Sequence, residues 1–145
     1  QDLLSLKEQF IDYIERNKEV YYDKLTKVRT HNDLIGWIKF FLEVIIETSK
    51  AAKEKFRRVV ELTIEMDKII MDLPVKPENA KKVIDLLYNE PIVSRKKIIE
   101  NTGIKFTTLV GVIRAFQEKG ILIETTGYSR NQVFSFQIYI DLFLK

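Results

Sequence analysis

A mostly α-helical chain that ends in a small β-hairpin is the fold class this sequence predicts, on three observations. Apolar residues recur at helical spacing from Leu34 to Leu73, with no proline and no glycine after Gly36. Three shorter helical patterns follow between Asn79 and Gly120. Two strand-like runs, Ile121 to Thr125 and Val133 to Phe136, then flank the turn residues Gly127-Tyr128-Ser129-Arg130-Asn131. Three helices followed by a hairpin is the order of a winged helix-turn-helix with a two-stranded β-wing, which makes nucleic acid the first partner to consider.

Each element has a local reason. Ser5 followed by Glu8 reads as a capping box, and Leu6, Phe10, Tyr13 and Ile14 mark the apolar side of a first helix. Asn17 caps a second helix carrying Val20, Tyr21, Leu25 and Val28, which the polar run Arg29-Thr30-His31-Asn32 ends. Asp33 caps the third. Its apolar positions Ile38, Phe41, Ile45, Ala52, Phe56, Val59, Met66, Ile70 and Leu73 describe one long helix or two stacked end to end. The short helices before it cannot cover its far end, so residues 56–73 are expected to pack on another chain or on the C-terminal domain. Leu73-Pro74-Val75-Lys76-Pro77 stops the helix, because each proline lacks an amide donor and pushes its predecessor out of helical geometry. The domain boundary is expected there, with a helical segment over 1–73, a linker over 74–78 and the winged helix-turn-helix over 79–145.

Within that last segment Asn79 caps a helix through Val83, Ile84, Leu86, Leu87 and Tyr88, closed by Asn89-Glu90-Pro91. Ile92-Val93 reads as an extended link, and Ser94 caps Arg95 to Asn101 with Ile98 and Ile99 inward. Thr102-Gly103 forms the turn. Thr107 or Thr108 caps the next helix, whose Leu109, Val112, Ile113 and Phe116 share one face until Lys119-Gly120 ends it. Tyr139, Leu142, Phe143 and Leu144 close the core with a last helical turn.

Composition removes several function classes. The chain of 145 residues has no cysteine and one histidine, so thiolate metal sites, disulfides and multi-histidine clusters are excluded. No apolar run approaches the length of a membrane span, the N-terminus lacks a signal-peptide layout, and a cytoplasmic location with no membrane partner is the expectation. Gln1 stands inside a patterned segment, and a longer parent is expected. Net charge is +3, unevenly spread: residues 1–73 carry 13 Lys+Arg against 14 Asp+Glu, whereas residues 74–145 carry 11 against 7. The basic excess therefore lies in the half expected to meet nucleic acid.

The candidate contacts follow from that geometry. Arg95-Lys96-Lys97 open the helix before the turn, where side chains reach a phosphate backbone; a solvated surface is the bland alternative. On the next helix, burying Leu109, Val112, Ile113 and Phe116 leaves Thr107, Val110, Gly111, Arg114 and Gln117 outward. Arg114 and Gln117 suit bidentate contacts to guanine and adenine edges, while Val110 and Gly111 read bases poorly. Lys105 adds a backbone contact, and Arg130 at the hairpin tip suits a minor groove or a phosphate. His31 reads as surface, and Trp37, Phe40 and Phe41 read as core rather than as base-stacking aromatics.

Residues 4–52 also resemble the helical segment that follows the catalytic loop in Fic-family proteins, through Leu4-Ser5, Tyr13, Asn17, Tyr21-Tyr22, Leu25, Val28-Arg29, Trp37, Phe40-Phe41-Leu42 and the stretch 47–52. The second half resembles the winged-helix module at the C-terminus of many such proteins, through Pro91-Ile92-Val93, Thr108, Gly120-Ile121-Leu122, Glu124, Thr126-Gly127 and Arg130-Asn131. Gln132 stands where that wing usually has a second basic residue. The resemblance implies a parent enzyme that moves AMP from ATP, with magnesium, to a protein hydroxyl. The family's signature HPFxDGNGR is absent from these residues, so no transfer activity and no cofactor are expected of this chain alone. The expectation is a regulatory, DNA-binding C-terminal part of a Fic-like protein, acting on double-stranded DNA through Arg95, Lys96, Lys97, Lys105, Thr107, Arg114, Gln117 and Arg130. The alternative is a protein-interaction module that positions protein targets, or a homodimer through the long helix.

Overall fold

The computed structural model describes residues 2–128 and 130–144, with side chains from Lys7 onward. The Ser5 capping box, the inward side of Leu6 and Ser129 at the hairpin tip lie outside the described residues. Among those described, the order is α1 (Asp2–Arg16), α2 (Lys18–His31), α3 (Leu34–Met71), α4 (Pro77–Asn89), β1 (Ile92–Ser94), α5 (Arg95–Thr102), α6 (Phe106–Glu118), β2 (Ile123–Glu124), β3 (Val133–Ser135) and α7 (Gln137–Leu144). The chain is mostly helical, with one small antiparallel sheet of order β1-β3-β2. It forms two compact units, 1–57 and 58–145, and the division falls inside α3.

The first unit is made of α1, α2 and the beginning of α3. Asn17 holds the expected position before α2, but its side-chain amide donates back to Tyr13 O (2.9 Å), so it closes α1 rather than capping its successor. Asn32, left-handed at φ 54°, ends α2. Asp33 then does cap α3, its Oδ1 accepting from the Gly36 amide at 2.9 Å. Aromatic edges join the three helices: Phe10 meets Phe41 (5.8 Å between centroids) and Tyr21 meets Trp37 (5.3 Å).

The buried face of α3 differs from the expected one. Phe40, Val44, Thr48 and Ala52 are buried, whereas Ile38, Phe41 and Ile45 are exposed. This stretch is apolar around more than half its circumference, so periodicity alone cannot choose the inward side. Buried Thr48 satisfies its hydroxyl on Val44 O (2.8 Å).

In the second unit the last turns of α3 belong to the core. Leu62, Met66, Ile70 and Leu73 join Val83, Ile84 and Leu87 of α4, Ile98 of α5, Leu109, Val112, Ile113 and Phe116 of α6, and Phe134 of β3 in one apolar cluster. Residues 72–76 thus connect two helices of one packed body. Lys81 on α4 reaches Asp67 on α3 (2.7 Å) and Asp85 (3.3 Å), which holds its ammonium pKa above the ordinary value, the Asp67 hydrogen bond being the main cause. All three side chains are about half exposed, so the pairs add at most about 1 kcal/mol.

Pro77 opens α4 as its first residue, with Lys76 as N-cap, so the expected Asn79 cap lies inside the helix. Proline's fixed φ suits the first turn, where its missing amide would have no partner. Ser94 caps α5 as expected, accepting from the Lys97 amide at 3.3 Å. Gly103, at φ 67°, turns the chain between α5 and α6. The N-cap of α6 is Lys105 rather than Thr107 or Thr108, since the Lys105 carbonyl already accepts from the Leu109 amide (2.9 Å). A Schellman motif ends α6: Ile121 N–H donates to Phe116 O (2.8 Å), and Gly120 N–H, left-handed at φ 68°, donates to Gln117 O (3.0 Å). That motif drives Ile121 and Leu122 into the core, and the first hairpin strand shrinks from the expected 121–125 to Ile123–Glu124. Ile92-Val93 is no mere link: β1 pairs with β3 in the register Ile92↔Ser135, Val93↔Phe134, making the sheet three-stranded. Tyr139 and Leu142 of α7 pack on the core, while Phe143 and Leu144 remain exposed, contrary to expectation.

Candidate nucleic-acid interface

The outward face of α6 is set by its inward one. With Leu109, Val112, Ile113, Ala115 and Phe116 buried, Thr107, Val110, Arg114 and Gln117 fall on the other side at spacings of three, four and three. Thr107, Arg114 and Gln117 are exposed and Val110 is half-buried. Gly111 is more covered than the sequence implied, because a side chain there would meet Val75 Cγ1 at 4.0 Å. The face is thus short and polar, with one guanidinium and one amide, and Glu118 borders it. Lys105, exposed, stands one residue before the helix starts.

Three basic residues begin α5, and they behave differently. Lys96 is 84% exposed, with Glu100 at 3.7 Å. Lys97 is half exposed and paired with Glu90 at 2.5 Å. The Arg95 guanidinium is engaged within the fold. Its Nη2 donates to Gln132 Oε1, and its carbon lies 5.5 Å from the Phe106 ring centroid and 5.9 Å from that of Phe134. Arg95 therefore joins the starts of α5 and α6 to the strand that follows Arg130.

The hairpin between β2 and β3 has its own lock. Glu124 accepts from the amides of Thr126 and Gly127, both at 2.9 Å, and from the Thr126 hydroxyl. These bonds, the Thr126 hydroxyl first, hold its carboxyl below the usual range. Thr125 N–H donates to Val133 O (3.0 Å) across the base of the turn. Gly127 (φ 69°) and Asn131 (φ 53°) both adopt left-handed backbone, and between them Tyr128 and Arg130 are exposed.

No family model matches the chain, and no curated protein matches it. The residues themselves must therefore carry any functional reading. The structure brings Arg95, the start of α6 and the hairpin base together, and it puts Thr107, Arg114 and Gln117 on one helix face. Sequence reasoning missed Phe106, Phe134 and Gln132 as neighbours of Arg95. Gln132 alone lies 37 residues from Arg95, too far to leave a local spacing signal. Among the described residues no cluster of His, Cys, Asp or Glu is arranged to hold a metal, and no helix is long and apolar enough to cross a membrane.

Proposed function

We propose that the second unit is a winged helix-turn-helix that binds duplex DNA. What supports the reading most is the outward face of α6, where Thr107, Arg114 and Gln117 meet solvent on a helix entered through the Gly103 turn. Such a helix fits a major groove, and Arg and Gln are the side chains that bind guanine and adenine edges in two-point fashion. Lys96, Lys97 and Lys105 supply backbone contacts, and Arg130 enters the minor groove or meets a phosphate from the hairpin. Half-covered Val110 and Gly111 at the centre of the face leave little room for sequence discrimination. Together with the resemblance to Fic-family proteins, which rests on the residues quoted for it alone, this makes the chain a regulatory C-terminal part whose ATP and magnesium chemistry belongs to a longer parent.

The test is fluorescence anisotropy of a labelled random duplex at several salt concentrations, with Arg114→Ala and Arg130→Ala alongside. Binding that weakens with salt and falls by about 1–3 kcal/mol in Arg114→Ala is expected. No binding at low salt overturns the reading.

A second reading, protein interaction, is favoured by one observation. In the first unit Ile35, Ile38, Leu42, Ile45 and Ile46 of α3 are all exposed at helical spacing. Such a stripe suits another helix, from a partner protein or a second copy of this chain. Sedimentation that shows a monomer at all concentrations removes the homodimer form of this reading.

A further inference from the structure

We propose that Arg95 acts as a positioning residue that clasps the hairpin to the start of α6, and that it does not contact phosphate. The proposal rests on the DNA-binding reading for its consequence, but the clasp itself stands on contacts within the fold.

Arg95 is the first residue of α5 and grips Gln132 twice. Its backbone N–H donates to Gln132 O (3.2 Å), and its Nη2 donates to Gln132 Oε1. The same guanidinium lies over Phe106, the first residue of α6, and over Phe134 in β3. Phe134 is fully buried, so it is a fixed floor; Phe106 is 54% exposed and is held from outside the core. Arg95 Nε is buried, which places this part of the guanidinium among its neighbours rather than in solvent, and it has no hydrogen-bond partner among the described residues. Only arginine combines a flat face for two rings with a donor fork for an amide oxygen, so lysine is not an equivalent.

The consequence concerns geometry. Gln132 follows Asn131, whose left-handed backbone turns the chain directly after Arg130. Fixing Gln132 to Arg95, and Arg95 to Phe106, therefore sets where Arg130 stands relative to the α6 face. A duplex contacted by both needs that spacing fixed in advance, since each ångström of play costs affinity.

Salt dependence separates a clasp from a contact. Removing a phosphate contact reduces the slope of log affinity against log salt by about 0.9, whereas removing a positioning group lowers affinity and leaves the slope alone. The experiment measures duplex affinity at several salt concentrations for the full chain and for Arg95→Ala, Arg95→Lys, Gln132→Ala, Gln132→Glu and the Arg95→Ala/Gln132→Ala pair. It also follows hydrogen exchange at the Thr125 amide, which closes the hairpin base. Arg95→Ala, Arg95→Lys and Gln132→Ala are each expected to lose about tenfold in affinity with the slope unchanged, and the pair to lose no more than the worse single variant. Exchange at Thr125 is expected to quicken in those variants and to stay slow in Gln132→Glu, whose carboxylate still accepts from Arg95. A slope reduced by about 0.9 in Arg95→Ala alone overturns the proposal in favour of a phosphate contact. If the unaltered chain binds no duplex, the DNA reading fails, and the exchange rates still decide the clasp: unchanged protection in Arg95→Ala and Gln132→Ala refutes it.

Discussion

Met66 and Met71 stand five residues apart on α3, one 1% exposed and the other 70% exposed. They make a matched pair for asking whether the end of α3 is part of the C-terminal core. Met66 lies in the cluster with Ile84, Leu109 and Phe116, so Met66→Ala removes a filled volume that rigid neighbours from several elements cannot close. The loss combines transfer of the side chain and the cavity left behind, together about 2–5 kcal/mol. In a unit of this size each kcal/mol lowers the midpoint by about 4–8 °C, so a loss of about 3 kcal/mol lowers Tm by at least about 12 °C. Met71→Ala removes mostly hydrated surface and is expected to stay within about 0.5 kcal/mol. Urea and thermal unfolding followed by circular dichroism give both values. Equal effects from the two substitutions, or a Met66→Ala cost below about 1 kcal/mol, refute the packing of α3 into this core.

Two further expectations concern local structure. Ser94→Ala removes the side chain that accepts from the Lys97 amide and is expected to cost about 1 kcal/mol, read as a shift in the urea midpoint of the second unit. Glu124 has a folded pKa below its unfolded value, so its stabilisation of the hairpin is fully present above the ordinary carboxylate pKa and is lost as pH falls through the folded value. Amide protection at Thr126 and Gly127 should therefore fall as pH drops below the ordinary carboxylate range, and Glu124→Gln should weaken it at neutral pH.

Punctuation residues made much of the chain legible. Asp33, Ser94, Gly103 and Gly120 each mark an element end for a stereochemical reason that needs no tertiary context, and the inward face of α6 follows from the spacing of Leu109, Val112, Ile113 and Phe116. What escaped depends on distant partners. β1 has three residues and no alternation to detect, and it is a strand because β3 offers it an edge. The inward side of α3 is picked from an apolar surplus by tertiary packing that spacing does not encode, so Phe40 and Val44 are buried while Ile38 and Ile45 are not. Arg95 read as one of three equivalent cations because Gln132, Phe106 and Phe134 are brought to it only by the folded sheet.

The slope of log affinity for duplex DNA against log salt tests the central claim most directly. With Lys96, Lys97, Lys105 and Arg130 each meeting a phosphate, the slope expected for the unaltered chain is about −3.6. A slope near zero, or no binding at low salt, contradicts the claim that this chain meets DNA through these residues.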